Sequence, residues 1–146
     1  MELNFIFSKI YTKNLNRFNP SEDSWDKITY RGEEFVKEYE KEFIEILNLI
    51  LRITNRHWNQ LELKVYFVSW KGPSFSNPLT LRVRKDMLLM LVVLTHELIH
   101  NIMSEKESSI QLENEINDYV EDIFTELKID ISDQMKIVRK SINKLK

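Results

Sequence analysis

The sequence predicts an α+β fold: a small sheet with a long backing helix, an H-E-x-x-H helix, a helix rich in glutamate and a C-terminal helix. Three observations predict it. Runs that alternate apolar and polar residues recur near residues 1–7, 61–67 and 79–83, the period of half-buried strands. Longer stretches carry apolar residues at helical spacing. Only two glycines and three prolines interrupt the 146 residues, which leaves few tight turns and favours helix.

The first element is a short strand, because Met1, Leu3, Phe5 and Phe7 alternate with polar or smaller residues. Residues 12–29 are polar and broken by Pro20, which predicts an irregular surface segment with a short helical turn after Ser21. A long helix follows from about residue 32 to 56, where Phe35, Tyr39, Phe43, Leu47, Ile50 and Thr54 trace one stripe. Leu61, Leu63, Val65 and Phe67 alternate with Glu62, Lys64 and Tyr66 and predict a second strand. Lys71, Gly72 and Pro73 open a loop that runs to Pro78. Leu79, Leu81 and Val83 alternate with Thr80, Arg82 and Arg84, a strand with one polar face.

Asp86 is placed to cap a helix that reaches about Met103. Residues 104–108 are a polar break, and Ser108 with Gln111 has the spacing of a capping box for a helix to about residue 128. Residues 130–133 interrupt the pattern, and Ser132 is the expected cap of the last helix. Met135, Val138, Ile142 and Leu145 supply that helix with an apolar stripe among lysines and an arginine. The elements form one domain over residues 1–146, with 129–146 as a C-terminal helical tail.

Composition narrows the function. An apolar fraction of 42% suffices for a packed core. A net charge of -2 gives no reason to expect nucleic acid or a membrane surface as partner. With no cysteine, disulfides and thiolate metal sites are excluded. The first nine residues lack the apolar core of a signal peptide, and the apolar run at 87–94 is too short to span a bilayer. The expected address is the cytoplasm.

The chemistry lies in Val93-Leu94-Thr95-His96-Glu97-Leu98-Ile99-His100-Asn101-Ile102, which contains H-E-x-x-H. Two histidines four apart share one helix face, so both imidazoles can converge on one zinc ion. Glu97 between them can serve as base for a water that the metal acidifies, then as acid for a leaving amine. Two of the chain's three histidines fall in this motif, in a stretch otherwise apolar, where an unliganded polar group is costly to bury.

Val93 to Ile102 resembles the extended consensus of the zincin metallopeptidases. Positions 103 and 106 are Met103 and Lys106, so the chain does not resemble metzincins, which carry glycine and histidine there. The next helix, Gln111-Leu112-Glu113-Asn114-Glu115-Ile116-Asn117-Asp118-Tyr119-Val120, looks like the glutamate helix of the gluzincins. The resemblance implies a third zinc ligand there. Glu113 lies at the edge of the apolar face of Leu112, Ile116, Val120 and Phe124, which favours it. Glu115 is the alternative, because Asn114-Glu115 reads like the pair that begins that helix in larger gluzincins.

The element order is similar to that of the minimal single-domain minigluzincins. The resemblance implies a zinc-dependent endopeptidase acting on a peptide or protein substrate. Its basic C-terminal helix has two readings: its apolar stripe completes the core while its lysines are solvated, or it lies over the metal cleft and keeps the enzyme latent. The resemblance also implies that the strand before the motif helix (Leu79, Thr80, Leu81 and Arg82) is the edge that pairs with an extended substrate. The interval from His100 to Glu113 is shorter than in thermolysin-like enzymes, so the loop between them must be tight.

Other residues invite weaker readings. His57 is expected to lie against the carbonyls of a helix end rather than in the site. Tyr66 or Tyr119 is a candidate donor to an oxyanion, and Asn117 or Asp118 a candidate partner for a histidine N–H. Tyr66, Phe67 and Trp70 read as core. Two rivals remain: a catalytically inactive peptidase-like protein that binds peptide, and a helical regulator with an accidental motif.

Overall fold

In a computed structural model, which describes residues 1–16, 24–69, 72–103 and 109–142, a thirty-residue helix backs a four-stranded sheet in an α+β arrangement. The elements in chain order are β1 (Glu2–Phe7), α1 (Lys9–Asn16), α2 (Trp25–Thr54), β2 (Glu62–Val68), β3 (Phe75–Ser76) and β4 (Leu79–Arg82). They are followed by α3 (Met87–Met103), α4 (Ile110–Glu126) and α5 (Ser132–Ile142). The strand order is β1-β2-β4-β3; β1, β2 and β4 run parallel, and β3 returns antiparallel on β4.

Register follows from apolar pairing. Leu3, Phe5 and Phe7 stand opposite Leu63, Val65 and Phe67, so one sheet face is apolar across both strands. That face receives α2. Phe67 is fully buried, stacks on Phe5 at 5.2 Å and meets Phe35 edge-on at 6.0 Å. Gly32 allows the approach: a Cβ there would lie 2.5 Å from the Phe7 ring and 3.2 Å from Phe67. The opposite face carries Tyr66 and Thr80 and meets α1, where Tyr11 packs on Tyr66 and shares a 3.0 Å hydrogen bond with Thr80 Oγ1.

Several expectations change. The irregular segment expected at 12–29 is helical at its start, in α1, and at its end, where α2 begins at Trp25 rather than near residue 32. Ser8 starts α1 by accepting from Tyr11 N, and Thr12 Oγ1 is buried where Ser69 N reaches it. These tertiary bonds hold a helix too polar for its period to reveal. Ser24 caps α2 through Lys27 N, and Asn55 ends it in the left-handed region. The turn proposed after Ser21, with Pro20, lies outside the described residues, as do Trp70, Lys71, Ser108 and Leu145 and the tight loop expected after His100.

The expected loop to Pro78 contains β3, and this alters β4. β4 is interior, paired to β2 on one side and β3 on the other, so Leu79, Thr80, Leu81 and Arg82 are not a free edge. Nor is one face polar there, since Thr80 is fully buried beneath α1. The antiparallel edge is Phe75–Ser76.

α3 is the central helix. Met90, Leu91, Val92, Leu94, Leu98 and Ile99 are all buried, and sheet, α2, α4 and α5 all touch it. Asp86 caps it as expected, accepting from Leu89 N at 3.0 Å. Ser109 caps α4 through Leu112 N, one residue past the expected position. Ser132 does not cap α5; it is the first helical residue and donates to Asp130. Among the described residues no helix is long and apolar enough to cross a membrane.

Replacing Asp86 by alanine leaves Leu89 N without its cap and releases Gln134 Nε2, which donates to Asp86 Oδ2 at 3.2 Å. The expected loss is about 1 kcal/mol in urea unfolding. Asp86→Asn, which still caps, is expected to lose less than half of that; equal losses would show that the cap does not govern α3.

Candidate metal centre

Two one-turn pairs face each other where α4 crosses α3. His96 and His100 form one pair, Glu113 and Asn117 the other. Ile116, Val120 and Ile123, all fully buried, bind α4 to α3 and fix which of its faces looks inward. That face carries Glu113. Its Oε2 lies 2.9 Å from His96 Nε2 and its Oε1 lies 2.8 Å from His100 Nε2. Glu115 is exposed and accepts from Tyr119 Oη at 3.2 Å instead.

Asn117 decides how His96 presents itself. Its amide oxygen lies 2.8 Å from His96 Nδ1, and an amide oxygen can only accept, so Nδ1 carries the proton. Nε2 therefore faces Glu113 and His100. Asn117 is fully buried, and its Nδ2 has no hydrogen-bond partner, a cost retained to hold one imidazole. Asp118, the other candidate for this task, faces away and pairs with Arg139 at 2.9 Å.

Two imidazole nitrogens and a carboxylate within 4.8 Å of one another could hold a metal ion. The set matches a donor combination that zinc accepts, with a fourth position left for solvent. In tetrahedral coordination the donor atoms stand about 3.3 Å apart. The 2.8 and 2.9 Å separations are shorter than that by about 0.5 Å, so the donors would have to part slightly to admit an ion.

Glu97 lines a cavity of about 160 Å³ beside His96 and Glu113. Burial, and second the charge of Glu113, push its carboxyl up to about 8. The cavity's outer wall is α5, through Ile137, Val138 and Ser141. α5 is held there by buried Met135 and Ile142 and by Arg139, which reaches Asp118 at 2.9 Å and Glu121 at 3.1 Å.

On the far side of His100 lies a larger groove of about 730 Å³, between the edge strand β3 and the stretch from His57 to Gln60. Asn101 ties its walls together: Trp58 Nε1 donates to its Oδ1, and its Nδ2 donates to the Ser76 carbonyl, each at 3.0 Å. His57 is exposed on this wall, three residues beyond the end of α2, and does not join the metal-type cluster. Neither Tyr66 nor Tyr119 lines the cavity of Glu97; Arg84 does, a residue that strand alternation marked only as polar. Comparison of the chain with protein-family models, curated proteins and solved structures finds no match.

A carboxyl that titrates near 8 in the folded state and near 4.5 in the unfolded state keeps its proton longer when folded. Between those values the native state binds more protons, so its stability falls as pH rises. The metal-free protein is expected to lose a few kcal/mol between about pH 5 and 8 from this group. Glu97→Gln flattens that part of the pH dependence; identical melting profiles for the two proteins would contradict it.

Proposed function

We propose that this chain is a zinc-dependent endopeptidase held closed by its C-terminal helix. The observation that carries the reading is the convergence of His96 Nε2, His100 Nε2 and the Glu113 carboxylate, with Glu97 on the wall of the adjoining cavity. The resemblance of Val93 to Ile102 to the zincin consensus supports the same assignment.

His96, His100 and Glu113 would hold the ion. Bound there, zinc would supply Lewis acidity toward water and a peptide carbonyl. Asn117 holds the His96 ring by Nδ1 and so turns Nε2 toward Glu113 and His100. Glu97, on the cavity wall beside His96, would take a proton from the attacking water and pass it to the leaving amine. An extended peptide would lie along Phe75–Ser76, the antiparallel edge beside the groove that reaches His100. This moves the substrate edge from β4 to β3.

The cavity at Glu97, about 160 Å³, has room for a few waters rather than a peptide. Ile137, Val138 and Ser141 of α5 occupy the space a substrate needs. α5 therefore keeps the enzyme latent, and Arg139 is its latch onto α4.

Purified chain is expected to take up one zinc per chain and to melt at higher temperature with zinc than with chelator. Glu97→Gln keeps the zinc and loses peptide cleavage. Metal loss in Glu97→Gln, or no zinc uptake by the parent chain, refutes the assignment. Zinc and peptide binding without cleavage, in protein whose α5 has been loosened, would instead favour the inactive peptide-binding alternative.

Latency has its own test. Arg139→Glu places a like charge against Asp118 and Glu121 and is expected to raise hydrolysis of an unstructured protein substrate severalfold. It disturbs less than removing residues 130–146, which takes buried Ile131, Met135 and Ile142 from the core. A folded Arg139→Glu protein with faster amide exchange in α5 and no gain in hydrolysis would sink the latch.

A further inference from the structure

Arg84 lines the same cavity as His96, Glu97 and Glu113, and the reaction outlined above has no use for it. It lies just beyond β4, and its Nε is buried without a hydrogen-bond partner. No carboxylate among the described residues pairs with its guanidinium. Glu113 turns both oxygens to the histidines. Arg82, two residues earlier, adds a second positive charge; burial first and Arg82 second lower the pKa of Arg84. An arginine keeps its proton even so. Arg84 thus brings a positive charge and an unsatisfied Nε–H donor to a cavity whose carboxylates, among the described residues, are not bonded to it.

We propose that Arg84 is the carboxylate-binding residue of this site, taking an acidic side chain of the substrate, as internal cleavage requires; a free C-terminus is the other source of a carboxylate, and finding it preferred would make the cut a terminal one. A guanidinium offers parallel N–H donors that match a carboxylate's two oxygens, a fit an amide does not reproduce. The cavity's size agrees: about 160 Å³ receives one small anionic group, not a continuing chain. Ser74 and Ser141 also line it and bring hydroxyl donors to the same space. A substrate anchored here carries its negative charge beside Glu97, which makes Arg84 a specificity-determining residue. That the anion belongs to a substrate rests on the hydrolase reading; the anion contact itself does not.

The test uses the full chain, with zinc and with chelator, and reads the Arg84 Nε–H NMR resonance. The probes are N-acetylglycine, its uncharged amide, and the α-amide of N-acetylglutamate, whose only carboxylate is on the side chain. One of the two acids is expected to move the resonance saturably, and the neutral amide is not. The acid that binds more tightly identifies the source of the carboxylate. Arg84→Met is expected to weaken that acid by about tenfold or more, the scale of a charged hydrogen bond, with Arg84→Lys between. Equal response to acid and amide, no response to either acid, or undiminished binding in Arg84→Met overturns the proposal. Zinc uptake and cleavage without any carboxylate preference would remove Arg84 and leave the hydrolase. Carboxylate binding by a protein that takes up no zinc would support Arg84 and remove the hydrolase.

Discussion

The docking of α4 on α3 is the constraint from which the rest of the site follows. Ile116, Val120 and Ile123 disappear into a core that also holds Leu94, Leu98 and Ile99. Burial of that apolar area is worth roughly 1.5 to 3 kcal/mol per large side chain. It fixes the rotation of α4 about its own axis. A rotation by one residue, ~100°, would take Glu113 and Asn117 away from the histidines together. The polar cluster is thus positioned by apolar packing rather than by its own attraction.

The cluster also strains against its surroundings in ways ordinary packing avoids. Asn117 leaves one amide nitrogen unsatisfied, Arg84 leaves an Nε unsatisfied, and Glu97 is driven toward its neutral form. All three border the same few side chains. A core selected only for stability would replace such groups with apolar ones. Their concentration around His96 marks this corner of the fold as the candidate site.

α5 serves two ends at once. Met135 and Ile142 complete the core, while Val138 and Ile137 stand against the cavity. Its polar ties are few and partly exposed: Arg139 to α4, Gln134 to the cap of α3. Ion pairs of that exposure contribute modestly. Most of its hold is therefore apolar, and parting it from the cavity would uncover Met135 and Ile142.

Much of this was legible before folding. Alternation disclosed β1 and β2, helical spacing disclosed α2, the cap residue Asp86 marked the start of α3, and the four-residue interval of His96 and His100 disclosed a shared face; each is a local feature set by backbone geometry. The helical-face rule favoured Glu113 over Glu115, and it is Glu113 that reaches both imidazoles. What escaped was non-local. α1 is polar and is held by Thr80 and Ser69, residues far along the chain. β3 is two residues long, too short for any period, yet it turns β4 from an edge into an interior strand. The choice of Asn117 over Asp118, and the arrival of Arg84 in the cavity of Glu97, depend on how separate elements meet. The sequence alone determined which side chains share a face of one helix or strand, because that is repeated locally. Only tertiary structure decided which faces meet, because that is settled by packing among segments distant in the chain.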